Sequence, residues 1–407
     1  MNQQIPYPFC GPEFRRHPDP VYQQLMSEGP IHPVQFPSGV CGWLITGYDA
    51  AIQVLTDPRI GKNHALGNAQ WRARASIMPE PHHTRLQAHM LHQDPPRHTL
   101  MRSLVSSAFA PARIAQFRPR IEQIVNSLID EIHAHGQADL MTSLASRLPL
   151  QVLSAVIGLS DAHRIRFQPR WCKAVQPVGP RDPGRRAYVQ LLTELQTFID
   201  RVIAEPAQGD SSGLIAQLVD AHHAGVLSYD ELASMLFQLL VAGQEPVTHQ
   251  IGNSLLAVLR HPDLTPFWHG CTASVDTAVN ELLRLDGAFE ISTWRFYPVP
   301  TELFGATIPA GDPVIVALNA ANHDRSRFEC PHQLHTDRSP NSHLSFGYGR
   351  HFCPAASLAK LEIDVTVRLV LEKLRDLRLA CPIDQLQWIP AVLARGLVSL
   401  PVNFTAA

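Results

Sequence analysis

Between Ser228 and Arg260 the chain carries a run that is apolar on almost every side. Ser228-Tyr-Asp-Glu231 forms a capping box, LASMLFQLLVAG follows, and IGNSLLAVLR extends the pattern to His261-Pro262. The pattern predicts one helix of roughly 32 residues, about 48 Å long. A helix without a polar face is stable only when enclosed, so the fold has to be built around this segment. The composition can supply that enclosure: 45% of the 407 residues are apolar and 17% charged, a globular rather than a disordered balance. With 34 basic against 36 acidic side chains there is no basic surplus for a nucleic-acid partner.

Around the central helix the sequence predicts a mainly α protein with a minor β part, in a single domain over 1–407. Val40–Thr46 reads as a strand, Tyr48–Leu55 as a short helix, and 62–93 as a long loop with helical fragments. Helices are expected at His98–Ala108, Ala112–His135, Leu148–Gly158, Ala187–Ala204, Gly213–Ala224 and Ala355–Leu377, with short β segments between Trp294 and Val316 and near the C-terminus. The cysteines, Cys10, Cys41, Cys172, Cys271, Cys330, Cys353 and Cys381, show no C-x-x-C spacing, which excludes ribbon-type zinc sites and thioredoxin-like redox motifs. An odd, scattered set suits reduced thiols. There is no signal-like or membrane-spanning run, so a cytoplasmic location is expected.

The sharpest local feature is Phe346-Gly-Tyr-Gly-Arg-His-Phe-Cys353-Pro354. Two glycines two apart permit a tight turn with positive φ. Cys353 then falls at the cap of a helix with Pro354 at its first position, where free N–H groups favour a thiolate. The segment resembles the haem-thiolate loop of the cytochrome P-450 superfamily, F-G-x-G-x-[HR]-x-C-x-[GA], with Ala355 at the last position. Further matches follow along the whole chain. Asp94-Pro-Pro-Arg-His98 with Arg102 resembles the D-P-P-x-H-x-x-x-R of soluble bacterial members, Glu281-Leu-Leu-Arg284 the E-x-x-R pair, and Arg295 the basic residue after it. The resemblance implies haem b with Cys353 as iron ligand; His98, Arg102, Arg295 and His351 would bind its propionates, and Glu281 with Arg284 would form a structural pair. The implied activity is a monooxygenase tailoring a small organic molecule, with electrons from a ferredoxin or flavodoxin and its reductase. That partner would dock near Cys353, where Arg102, Arg113, Arg350 and Lys360 could meet acidic groups.

The departures concern the central helix. Relatives usually carry A-G-x-[DE]-T-[TS] there, the acid and alcohol organising water and proton delivery during dioxygen activation. Here the run is Ala242-Gly-Gln244-Glu245-Pro246-Val247-Thr248. Glu245 keeps the acid, Pro246 replaces the alcohol and should kink the axis, and Thr248 lies about 200° round from that place. Three outcomes stay open: a polar group of the substrate stands in, a water held by Glu245 or Gln244 suffices, or the chemistry is peroxide use or radical coupling. A non-catalytic activator with this fold is a further alternative, against which Cys353 and its partners stand. Gln333 falls where relatives often support the E-x-x-R pair and is read as a tolerated variation. The resemblance puts 62–90, 170–173, 237–248, 288–293 and 391–393 against the substrate, with Ala242, Phe289, Glu290, Ile291 and Val392 lining the site. A carboxylate at Glu290 would favour an amine or amide, although a position turned outward or paired with arginine is the commoner fate of such a residue. The cluster Arg72, Arg74, His82, His83 and Arg85 reads as a solvated loop.

Overall fold

The computed structural model describes residues 5–75, 77–205, 213–262, 268 and 272–406, apart from the side chains of 272–275; Cys271 lies outside the described residues. Helices dominate and the strands are short, as the sequence pattern requires. The five-stranded sheet has the order Ile5–Pro6, Ile31–Gln35, Cys41–Ile45, Pro313–Val316, Arg295–Phe296. Its registers pair Trp43 and Arg295 with Val314. Gly61 extends the last edge through a bridge to Phe296, which lays residue 62 beside residue 295.

The expected 32-residue helix is two helices. The first, Tyr229–Ala242, begins with the capping box, in which Ser228 and Glu231 exchange side-chain and backbone hydrogen bonds. The second is Glu245–Leu259, and Gly243-Gln244 lies between them. Pro246 therefore sits in the first turn of a new helix, where its missing N–H has no intrahelical role, and not in a helix interior. The break depends on Gly243, since a Cβ there would stand 2.8 Å from Leu153 Cδ2 on the crossing helix Leu148–Ile157. Both halves are buried, as their apolar faces demand. Leu236, Leu240, Ile251 and Leu255 share one core with Ile363 and Val367 of the helix Ala356–Lys373.

Other elements depart from the sequence pattern where proline intervenes. The helix expected over 112–135 is Pro111–Ala115 followed by Arg118–His133, with Pro119 in the first turn of the second. Residues 62–93 hold the helices Ala69–Arg74 and His82–Leu86 and two 3₁₀ turns. The inner side of this segment is not solvated as expected. His82 is buried with Nδ1 3.0 Å from Gln196 Oε1, and His64 Nδ1 lies 3.1 Å from His83 Nε2. The His64 and His92 rings are 4.1 Å apart. Burial holds His64, His83, His89 and His92 below the usual imidazole range, His89 at about 3.

Candidate active site

The turn before Cys353 is built as its glycines allow, with Gly347 at φ 71° and Gly349 at φ 73°. A Cβ on Gly349 would lie 2.8 Å from the Leu55 carbonyl, so the close approach to the helix Tyr48–Thr56 also requires glycine. The Cys353 N–H closes the loop on Phe346 O at 3.0 Å. The following helix starts at Ala356 with Ala355 as its cap, so Cys353 precedes the cap by two residues instead of occupying it. Burial raises the thiol pKa, against the pull of the Ala355 N–H and the Arg102 guanidinium.

Cys353 opens into a cavity that also receives Lys62, His98, Arg102, Arg295 and His351. Arg102 and His98 are four apart on the helix Arg97–Ser106, and Arg102 Nη1 donates to Phe352 O at 2.6 Å. The His98 and His351 rings stand 4.3 Å apart. Arg295 is buried, which pulls its pKa down to about 10. Lys62, only 2% exposed, has its Nζ on the Thr293 hydroxyl; burial and Arg295 push its pKa well down, with Asp94 opposing. Asp94 is committed to the loop backbone, accepting from the N–H groups of Lys62 (2.9 Å) and Asn63 (3.1 Å). Glu362, a carboxyl that also lines the cavity, has its pKa pushed well up by burial.

Five basic side chains thus converge on one cavity without enough carboxylate to balance them, and His351 Nε2 is buried with no partner. Arg102, Arg295 and Lys62 with the imidazoles of His98 and His351 form a set of donors that calls for anionic acceptors from outside the chain. Two propionates beside a thiolate-ligated iron meet the demand, so the donor set fits a haem with Cys353 as its axial ligand. Lys62 is an addition to the propionate set expected from the sequence. Its place depends on the Gly61–Phe296 bridge, which no local motif announces.

The pair Glu281 and Arg284 is fully buried, with Arg284 Nε 2.7 Å and Nη2 2.8 Å from the two carboxylate oxygens. Arg284 also donates to the carbonyls of Asn322, Pro331 and Gln333. The third charged member is Arg338, whose Nε lies 3.0 Å from both Glu281 oxygens. The side chain expected from position 333 comes from five residues further on, and Gln333 contributes its carbonyl.

The broken helix lines the same cavity with Gln238, Leu239, Ala242, Gly243, Pro246, Val247 and Gln250. Gln244 and Glu245 are not among the lining residues. Gln244 Nε2 donates to Ser146 O at 3.3 Å, and Glu245 accepts from Gln176 Nε2 and faces His249 Nε2 at 3.7 Å. Pro246 does line the cavity, and Ala242, the last residue of the first helix, has a carbonyl for which that helix holds no further donor. Phe289, Ile291 and Leu393 line the cavity, whereas Glu290 and Val392 do not. Glu290 points the other way, as alternation along an extended segment dictates. It is fully buried, accepts from Tyr22 Oη, and has its pKa raised by burial against the pull of Arg395, Tyr22 and Arg15. Val392 is 37% exposed, one residue out of phase with Leu393. An amine-selecting carboxylate at position 290 is therefore withdrawn.

Comparison with known proteins agrees with this geometry. The family model described as cytochrome P-450 matches residues 274–389. The cytochrome P-450 monooxygenase PikC of Streptomyces venezuelae is 38% identical over 97% of this chain and 92% of its own length. The polyketide biosynthesis cytochrome P-450 PksS of Bacillus subtilis is 36% identical, covering 97% of this chain and 98% of its own. Among solved structures, the myxobacterial cytochrome P-450 CYP267B1 in complex with myristic acid superposes with a TM-score of 0.92 at 32% identity, covering 98% of this chain and 99% of that one.

Proposed function

The chain belongs to the cytochrome P-450 family and is a monooxygenase, and on that premise we propose that it oxidises a largely apolar, hydroxyl-bearing natural-product intermediate of the polyketide type. The observation that carries this reading is the wall built by the broken helix. Among the described residues it offers the cavity no carboxylate and no hydroxyl, only the Gln238 amide, the Gln250 amide already held by Asp286 O and the Ala288 N–H, and the Ala242 carbonyl at the end of the first helix. Leu153, Leu239, Val247, Phe289, Ile291 and Leu393 add an apolar surface beside it. A substrate hydroxyl beside Ala242 would donate to the carbonyl at the end of the first helix and would hold the proton that relatives hold with their alcohol. The relative PksS, a polyketide biosynthesis enzyme by name, fits that substrate class.

Haem b bound by Cys353 would supply thiolate-assisted cleavage of the O–O bond. Lys62, His98, Arg102, Arg295 and His351 would hold its carboxylates and fix its plane against Cys353. Electrons would come from a ferredoxin or flavodoxin and its reductase. The partner would meet the exposed surface carrying Arg350, Tyr348 and Phe352, the last two 44% and 40% exposed, with Arg113 and Lys360 nearby. We place the whole of 1–407 in one catalytic domain. Among the described residues no helix is long and apolar enough to cross a membrane.

The test is turnover of a panel of hydroxylated macrolactones, their deoxy counterparts and myristic acid with ferredoxin, reductase and NADPH. The expected result is a singly oxygenated product from the hydroxylated macrolactones. Turnover confined to added hydrogen peroxide, or to the fatty acid, would overturn the proposal.

A further inference from the structure

On the far side of the Glu281–Arg284 cluster, two histidines and an aspartate meet from three parts of the chain. Asp19 is the first residue of the helix Asp19–Glu28. His323 closes the short helix Leu318–Asn322, and His332 follows in an irregular segment. His323 Nε2 lies 3.9 Å from one Asp19 oxygen and His332 Nδ1 3.0 Å from the other. One ring nitrogen from each histidine and a carboxylate oxygen lie within 4.8 Å of one another. Among the described residues no other three such side chains come this close.

The tautomers suit a cation. His323 Nδ1 is 2.8 Å from Asn319 O, which accepts only from a protonated Nδ1; the Nε2 lone pair is thereby left facing Asp19. His332 Nδ1 is buried and close to Asp19 but makes no hydrogen bond. His332 Nε2 is 2.9 Å from the Gln23 amide, and with that amide turned over, its oxygen accepts the Nε2 proton and frees the Nδ1 lone pair. The charged groups facing the two rings are Asp19 and, on the opposing side, Arg284. His323 is almost enclosed, whereas the Asp19 side chain is 40% and that of His332 23% exposed, which leaves solvent room for further ligands.

We propose that Asp19, His323 and His332 form a binding site for a borderline divalent transition metal, with Zn²⁺ as the fitting ion. Two imidazoles and one carboxylate with open positions suit zinc, whereas magnesium demands mainly oxygen ligands. The site would be structural. It would join the helix Asp19–Glu28 to the segment whose Asn322 and Pro331 carbonyls hold Arg284, and so brace the cluster behind the active site.

The test is calorimetric titration of Zn²⁺ into tag-free, chelator-treated holoenzyme at neutral pH, beside Asp19→Asn and His332→Ala. The expected result is one tight equivalent in the wild type, with affinity reduced at least about tenfold in each variant. The Soret band should be unchanged in all three, and the wild type alone should gain thermal stability with zinc. Magnesium should give no binding heat. Equal zinc binding by the wild type and both variants, or no binding by a wild type with an intact Soret band, would overturn the proposal.

Discussion

On the wall that carries Cys353, basic side chains are brought in from several elements at once. Arg102 reaches the ligand loop from one helix, Arg295 and Lys62 arrive through a sheet edge, and the turn tolerates only glycine at position 349. The wall built by the broken helix shows the reverse. Gln244 and Glu245 turn away to Ser146 and Gln176 and leave mainly apolar side chains, with the amides of Gln238 and Gln250, beside the reaction space. The first wall must hold a fixed prosthetic group in any member of the family, which requires pre-organised charge. The second faces the substrate, and on the proposed reading it would leave proton delivery to the molecule that binds.

The largest effect that separates the walls is expected from Cys353→Ala. Oxygenation should fall by at least about 100-fold, and the reduced carbon monoxide complex should lose its red-shifted Soret band. Turnover comparable to wild type would show that the first wall has been misread. Glu281→Gln comes next, because it strands Arg284 and Arg338 in the interior. Removing one partner of a buried pair costs about 3–5 kcal/mol, readable as a lowered unfolding midpoint. Arg338→Ala should cost about 1.5–3 kcal/mol, since Glu281 keeps Arg284. No change in Arg338→Ala would remove that residue from the cluster.

Lys62→Met sharpens the comparison further. Loss of one charge-assisted contact of about 1.5–3 kcal/mol should speed haem transfer to apomyoglobin by about 10- to 100-fold, with the Soret position retained. Acid should act on both regions more gently. His89, which is buried, and His343, which is partly buried, are each held to about 3 by desolvation and are neutral in the fold at pH values where the unfolded chain binds protons. Stability is then fully present above about 6.5, the unfolded imidazole value, and drains away as pH falls toward about 3. Unfolding titrations at several pH values check this, and a flat profile between those limits would contradict it. Pro246→Thr should have the smallest effect on stability, below about 1 kcal/mol, because the proline occupies a first turn.

What the sequence made legible was what is local. The spacing of Phe346 to Cys353, of His98 to Arg102 and of Glu281 to Arg284 is set by one turn or one helix face. Contacts that depend on the path of the chain were not legible. Arg338 reaches Glu281 only because of how 330–338 folds back, and Lys62 meets Arg295 only through the bridge at Gly61. Phe289-Glu290-Ile291 did contain its answer, since alternation sends Glu290 opposite its neighbours. The interruption at Gly243-Gln244 was hidden because the apolar pattern continues across it while the backbone does not.

The central claim is that the substrate, and not the broken helix, supplies the missing hydroxyl. It is tested most directly by the ratio of oxygenated product to NADPH consumed, measured for wild type and Pro246→Thr with a hydroxylated macrolactone and its deoxy analogue. A high ratio is expected for wild type with the hydroxylated compound. With the deoxy analogue the wild type should release hydrogen peroxide instead, and Pro246→Thr should recover part of the coupling. Equal coupling of both compounds by the wild type would contradict the account.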